Sequence, residues 1–163
     1  MKLHLSLAAA VLLFFPASAA LAKDKTSDAF LKKAIEGNYA EASMGDLAQK
    51  NGQSEGVQSF GKMLSADHTA ANLKAFAAAK GIGVDAPTGP NAKQKADYDK
   101  MSKMSGAAFD KMFAAHMIAD HQKDIAEYKK VAKMKEAAGE YASGQIDTLQ
   151  KHLDTANSLK PGK

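Results

Sequence analysis

From Ser27 to Leu159 the apolar residues recur every third or fourth position, and no stretch alternates with a period of two for long enough to form a strand. That spacing fits amphipathic helices and little else. Helix A is predicted from Ser27 or Asp28, either of which can cap it, to about Asn51, where Asn51-Gly52 ends it. Its inward row is Leu31, Ala34, Asn38, Glu41, Gly45 and Ala48. Helix B starts at Ser54 and ends at Lys80-Gly81, with Val57, Gly61, Leu64, His68, Ala71, Ala75 and Ala78 inward. Steps of three and four in alternation are the seam of a bundle with near-parallel axes.

Residues 81–91 (GIGVDAPTGPN) concentrate the turn formers and forbid a continuous helix. A short polar helix, about Ala92 to Met104, is expected next, and Ser105 can cap helix C, which runs to about Lys135. Phe109, Phe113, Met117, His121, Ile125, Tyr128 and Ala132 form its inward row. Helix D, from near Gly139, carries Ala142, Gln145, Leu149, His152, Ala156 and Leu159, and Pro161-Gly162 stop it. Short A–B and C–D links imply two antiparallel hairpins. The long B–C connection can travel the length of a bundle, which suggests an up-down-down-up order; up-down-up-down is the alternative. The expected fold is therefore all-α, a ferritin-like four-helix bundle whose B–C crossover contains a short extra helix.

The amino terminus reads as a targeting segment. Lys2 precedes an apolar run from Leu5 to Phe15, Pro16 breaks it, and Ala20-Leu21-Ala22 offers a small-x-small cleavage pattern. The run is shorter than the roughly 20 residues a membrane helix needs. Residues 1–22 are expected to be a cleaved signal peptide, and residues 23–163 a single periplasmic domain without a transmembrane span. The sequence has no cysteine, so disulfides, thiolate metal sites and cysteine nucleophiles are excluded. Net charge is +4, and every basic residue is Lys. The lysines are interspersed with acids, as on solvated helix faces, and planar guanidinium recognition of phosphate is unavailable. No nucleic-acid partner is expected.

His4 leaves with the signal, so four histidines remain: His68, His116, His121 and His152. His68, His121 and His152 lie on the inward rows of helices B, C and D near mid-helix, and helix A offers Glu41. Side chains lean toward their own helix's amino terminus, which tilts Glu41 and His68 toward each other across an antiparallel pair. Buried imidazoles and a carboxylate left unpaired cost about 1–3 kcal/mol each. Either they hydrogen-bond one another in a polar network that fixes helix register, or they hold a metal; three imidazoles and a carboxylate suit Zn²⁺, Cu²⁺ or Fe²⁺. Asp67, Asp120 and Asp124 can orient ring N–H groups from behind, and His116 sits at the boundary, one turn before Asp120. Met44, Met63, Met112 and Met117 read first as core filling, with Cu(I) ligation as the sharper alternative.

The Glu-x-x-His pair of di-iron bundles is absent, since Ser65, Ile118 and Leu149 stand three residues before the inward histidines. There is no phosphate-binding glycine loop, no G-x-S-x-G turn and no HExxH. An enzymatic activity is therefore not the expected reading.

The segments FLKKAIEGNYAEASMGDLA, VQSFGKMLSADHTAANLKAFA, FDKMFAAHMIADHQKDIAEY and LQKHLDTA together resemble the bacterial exported proteins grouped as domain of unknown function 4142. The run Met63–His68, Phe109-Asp110 and Asp120-His121 carry most of that resemblance. It implies a ferritin-like fold and places Glu41, His68, His121 and His152 at the family's characteristic polar positions; His116 is outside that set. It implies no established activity. A metal-binding bundle, or an envelope or stress protein acting through its surface on a protein or envelope partner, are the two functions to separate.

Overall fold

Ser54 has extended backbone just outside its helix, and its Oγ accepts a hydrogen bond from the Val57 N–H at 3.3 Å, the cap expected of this residue type. Asn91 makes a full capping box with Gln94 at the head of the short crossover helix. In the computed structural model, which describes residues 25–159, the helical segments are α1 Lys25–Asn51, α2 Glu55–Gly81, α3 Ala92–Met101, α4 Gly106–Val131, α5 Ala137–Ser143 and α6 Ile146–Ser158. No strand occurs among the described residues. The expected signal segment and the Pro161-Gly162 stop lie outside them. None of the described helices is long and apolar enough to cross a membrane.

The order of the helices follows from which ends share a core. One apolar cluster joins Phe30 and Leu31 from the start of α1, Ala79 from the end of α2, Tyr128 from the end of α4 and Ala138 from α5. A second joins Leu47 from the end of α1, Val57 from the start of α2, Phe109 from the start of α4 and Ala156 from the end of α6. So α1 and the α5–α6 column run one way while α2 and α4 run the other. The order is up-down-down-up. Val84 belongs to the first cluster and Met101 to the second, so the crossover travels the length of the bundle. Fully buried Leu31, Ile35, Phe60, Leu64, Phe109 and Phe113 each contribute about 1.5–3 kcal/mol by leaving water.

Helices α1 and α2 touch backbone to backbone. A Cβ on Gly45 would stand 2.5 Å from the Gly61 carbonyl oxygen, and one on Gly61 would stand 2.6 Å from that of Gly45. Only glycine allows this approach, and it brings the inward row of α1 against His68. The hairpin is then tied to α4 by Asp110, whose carboxylate accepts the N–H groups of Gln53 at 2.8 Å and Ser54 at 2.9 Å.

The structure departs from expectation at several places; the crossover helix ends at Met101 instead of Met104, and Ala79 is buried in place of Ala78. Helix D is not continuous: Ser143 and Gly144 are weak helix formers, and Gly144-Gln145 form a turn before α6 resumes with Leu149 N–H donating to the Gln145 carbonyl at 3.0 Å. The inward row survives the break, since Ala142, Gln145, Leu149, His152 and Ala156 are all buried. Helix C ends at Val131, in a turn closed by Met134 N–H to Val131 O, instead of reaching Lys135. Ser105 precedes α4 but makes no side-chain cap bond. Ser27 and Asp28 lie inside the first turn of α1, where Asp28 pairs with Lys32 at 3.0 Å.

Candidate metal centre

Between the two apolar clusters lies a polar layer. Asn38 and Glu41 come from α1, His68 and Asn72 from α2, His121 from α4, Gln145 from the α5–α6 turn and His152 from α6, all buried. Exposure is 5% for His68, 1% for His121 and 0% for His152, so none of the three can satisfy its ring in bulk water. Their ring centroids form a triangle with sides of 5.3, 5.3 and 5.9 Å. One ring nitrogen from each lies within 4.8 Å of the other two.

The outer nitrogen of each ring faces an oxygen that accepts a hydrogen bond. His121 Nδ1 donates to the Met117 carbonyl at 2.9 Å, which can only accept. His152 Nε2 donates to Asp67 Oδ2 at 2.9 Å. His68 Nδ1 donates to Asn38 Oδ1 at 3.0 Å, and the Asn38 amide nitrogen in turn donates to the Tyr141 hydroxyl at 2.9 Å. A neutral imidazole carries one N–H. The inner nitrogens, His121 Nε2, His152 Nδ1 and His68 Nε2, are therefore lone pairs. His121 Nε2 and His152 Nδ1 are 3.2 Å apart, and His68 Nε2 has no hydrogen-bond partner.

Electrostatics keep the rings neutral. Burial, then the neighbouring His121 and His152, hold His68 well below the usual imidazole range. Burial, then His152, brings His121 down to about 4. For His152 burial outweighs the opposing pull of Asp67 and lowers it too. Near neutral pH three lone pairs converge with no proton between them. A cation would resolve that conflict. Two nitrogens at 2.0–2.1 Å from a tetrahedral ion stand about 3.3 Å apart, close to the His121–His152 separation.

The other residues singled out in the sequence divide into two groups. Asp67 is at the centre, fixing the His152 tautomer. Glu41 is buried beside it, but its Oε1 is 3.9 Å from His121 Nδ1, the outer nitrogen, and the three-nitrogen grouping does not include it. Its Oε2 has no partner. Burial, then Asp124 and Asp120, raises the Glu41 carboxyl well above its usual range. His116 and Asp120 pair with each other at 3.2 Å along α4, at the surface. Asp124 makes no hydrogen bond to the three rings; burial and Asp120 push it up to about 6. Asp120, Asp124, His116 and Glu41 instead line a cleft of about 140 Å³ between α1 and α4, roofed by the start of α3, and His68 lines its floor. Met44, Met63 and Met117 belong to or pack against the second apolar cluster, as core filling predicts, and Met112 is 38% exposed.

Sequence reasoning assigned no role to Asn38 or Tyr141, which orient His68. The signal was there: Asn38 is a polar residue on the inward row one turn before Glu41. Tyr141 was not on the inward row read for helix D, and it meets Asn38 from α5.

The model of the family described as domain of unknown function (DUF4142) matches residues 14–159, and the chain belongs to that family. No curated protein and no solved structure shows significant similarity to the chain.

Proposed function

We propose that this member of the DUF4142 family is an exported bundle that binds one transition-metal ion, of the Zn²⁺, Cu²⁺ or Fe²⁺ class, between His68, His121 and His152. Its role is to store, buffer or sense the ion. The carrying observation is what each outer nitrogen faces: Met117 O, Asp67 or Asn38 Oδ1, acceptors that for neutral rings assign the N–H outward and leave three inner lone pairs. Such backing of the ligand rings is the usual company of a bound metal. Imidazole donors of borderline softness favour this class of ion over Ca²⁺ or Mg²⁺. Glu41, buried beside the cluster, is the candidate fourth ligand. The setting is the periplasm, reached through the signal expected at residues 1–22.

Untagged protein purified from the periplasmic fraction tests both parts. Amino-terminal sequencing should begin at Lys23, and elemental analysis should find close to one transition metal per chain. Added to stripped protein at 100 times Kd, the metal should stabilise the fold by about 2.7 kcal/mol. A metal-free protein whose melting temperature ignores added metal contradicts the proposal.

A second reading keeps the layer as a register-fixing network without a cation, with the protein acting through its surface. The continuous chain His68–Asn38–Tyr141 favours it. His68→Ala separates the two. The network reading requires the variant to be destabilised whether or not metal is added; the metal reading requires loss of the metal-dependent rise.

A further inference from the structure

The helical glycines of α1 are not alike. Gly45 is imposed by the contact with α2, but a Cβ on Gly37 would meet nothing within 4 Å. Gly37 is mid-helix, where glycine is about 1 kcal/mol less favourable than alanine. Neither packing nor a positive φ demands it. It lines the cleft between α1 and α4, and a side chain there would project into that space.

Two buried groups lining the same cleft lack partners: Glu41 Oε2 and His68 Nε2, in residues 6% and 5% exposed. Asp120, with its side chain 44% exposed, and the more buried Asp124 stand on the α4 wall. Five carboxyl groups and three lysines line the cleft; the Lys33–Glu127 and Lys93–Asp97 pairs take two of each, which leaves Glu41, Asp120 and Asp124 against Lys123. Asn91 holds the α3 roof to α1 through Glu36 at 3.1 Å. A volume of about 140 Å³ has room for several waters, hence for a partly hydrated cation.

We infer that this cleft is the route by which a hydrated divalent cation reaches the histidines, attracted by Asp120 and Asp124 and passed by Glu41 to His68, with Gly37 keeping the passage open. The inference rests on the metal-binding reading above and adds a path to it. A route lowers the barrier in both directions. Obstructing it slows loading and release by a common factor and leaves affinity unchanged, which a merely structural role would not do.

The test is stopped-flow Zn²⁺ loading of stripped full-length mature protein, and Zn²⁺ release to a chromophoric chelator, in wild type, Gly37→Leu and Asp120→Lys. Gly37→Leu should slow both processes about equally with Kd within about threefold. Asp120→Lys, at a half-exposed position independent of the packing at Gly37, should slow loading about tenfold at low ionic strength, with the difference shrinking as salt is added. Unchanged loading in both variants overturns the route while leaving the metal site standing. A loss of affinity in Gly37→Leu without slower loading also overturns it. A wild type that takes up no Zn²⁺, Cu²⁺ or Fe²⁺ removes the metal reading and the route with it.

Discussion

His121 Nε2 and His152 Nδ1 face each other across 3.2 Å with their N–H groups turned outward, to Met117 O and Asp67 respectively. Two lone pairs at that distance inside a buried layer repel unless a proton or metal lies between them. The neutral state of both rings removes the proton near pH 7. On the proposed reading, a metal ion fills that gap.

Asp67 should matter more to the ion than to the fold. Its side chain is 38% exposed, and its visible task is to hold His152 Nε2–H. Asp67→Asn should lower metal affinity about 10–100-fold, as loss of such a partner does elsewhere. Metal-free stability should change by only about 1 kcal/mol, because asparagine Oδ1 can still accept from His152 Nε2–H in this part-buried pair. Competition titration against a chromophoric chelator, with denaturant melts alongside, measures both.

Metal-free protein should lose stability in mild acid. The three folded-state histidine values are depressed, so below the unfolded imidazole value of about 6.5 the unfolded chain binds more protons. This contribution is fully present above that pH and is lost as pH falls through it toward about 4, the value for His121. Thermal melts of stripped protein between these limits should show a falling midpoint. Replacing His121 with Gln should flatten the slope.

Asp124 should act in the opposite sense. Its carboxyl is raised to about 6 from 3.8, so its contribution is favourable below the unfolded value and is lost as pH rises through about 6. Asp124→Asn should therefore raise the melting temperature of stripped protein at pH 7.5. The gain should vanish near pH 4. Melts of both proteins across that range decide the matter.

The α1–α2 contact should tolerate no side chain. Gly61→Ala would bring a Cβ to 2.6 Å from Gly45 O and 2.8 Å from Ala48 Cβ. Overpacking of this kind costs about 1–3 kcal/mol. Gly37→Ala on the same helix should be neutral or stabilising. Urea denaturation of the two variants gives the comparison.

Much of this was legible in the sequence because three-four periodicity encodes a helix and its buried face together. Leu31, Glu41, His68, His121 and His152 were all placed inward correctly. The length of the 82–105 connection anticipated the crossover, and the two core clusters bear it out. Side-chain reach was not legible. A row position says that Glu41 is buried; it does not say that its Oε1 meets the outer face of the His121 ring. Asp120 and Asp124 sit close in sequence to His121, but α4 turns them toward the cleft and His116. The break at Gly144-Gln145 was hidden because the inward row continues through it undisturbed.

Long-range ¹⁵N–¹H NMR of the imidazoles during Zn²⁺ titration of stripped protein tests the central claim most directly. The account predicts protons on His121 Nδ1, His152 Nε2 and His68 Nδ1 before metal, and shifts of His121 Nε2, His152 Nδ1 and His68 Nε2 that saturate at one equivalent. Inner nitrogens that already carry protons, or that do not respond to the metal, would contradict it.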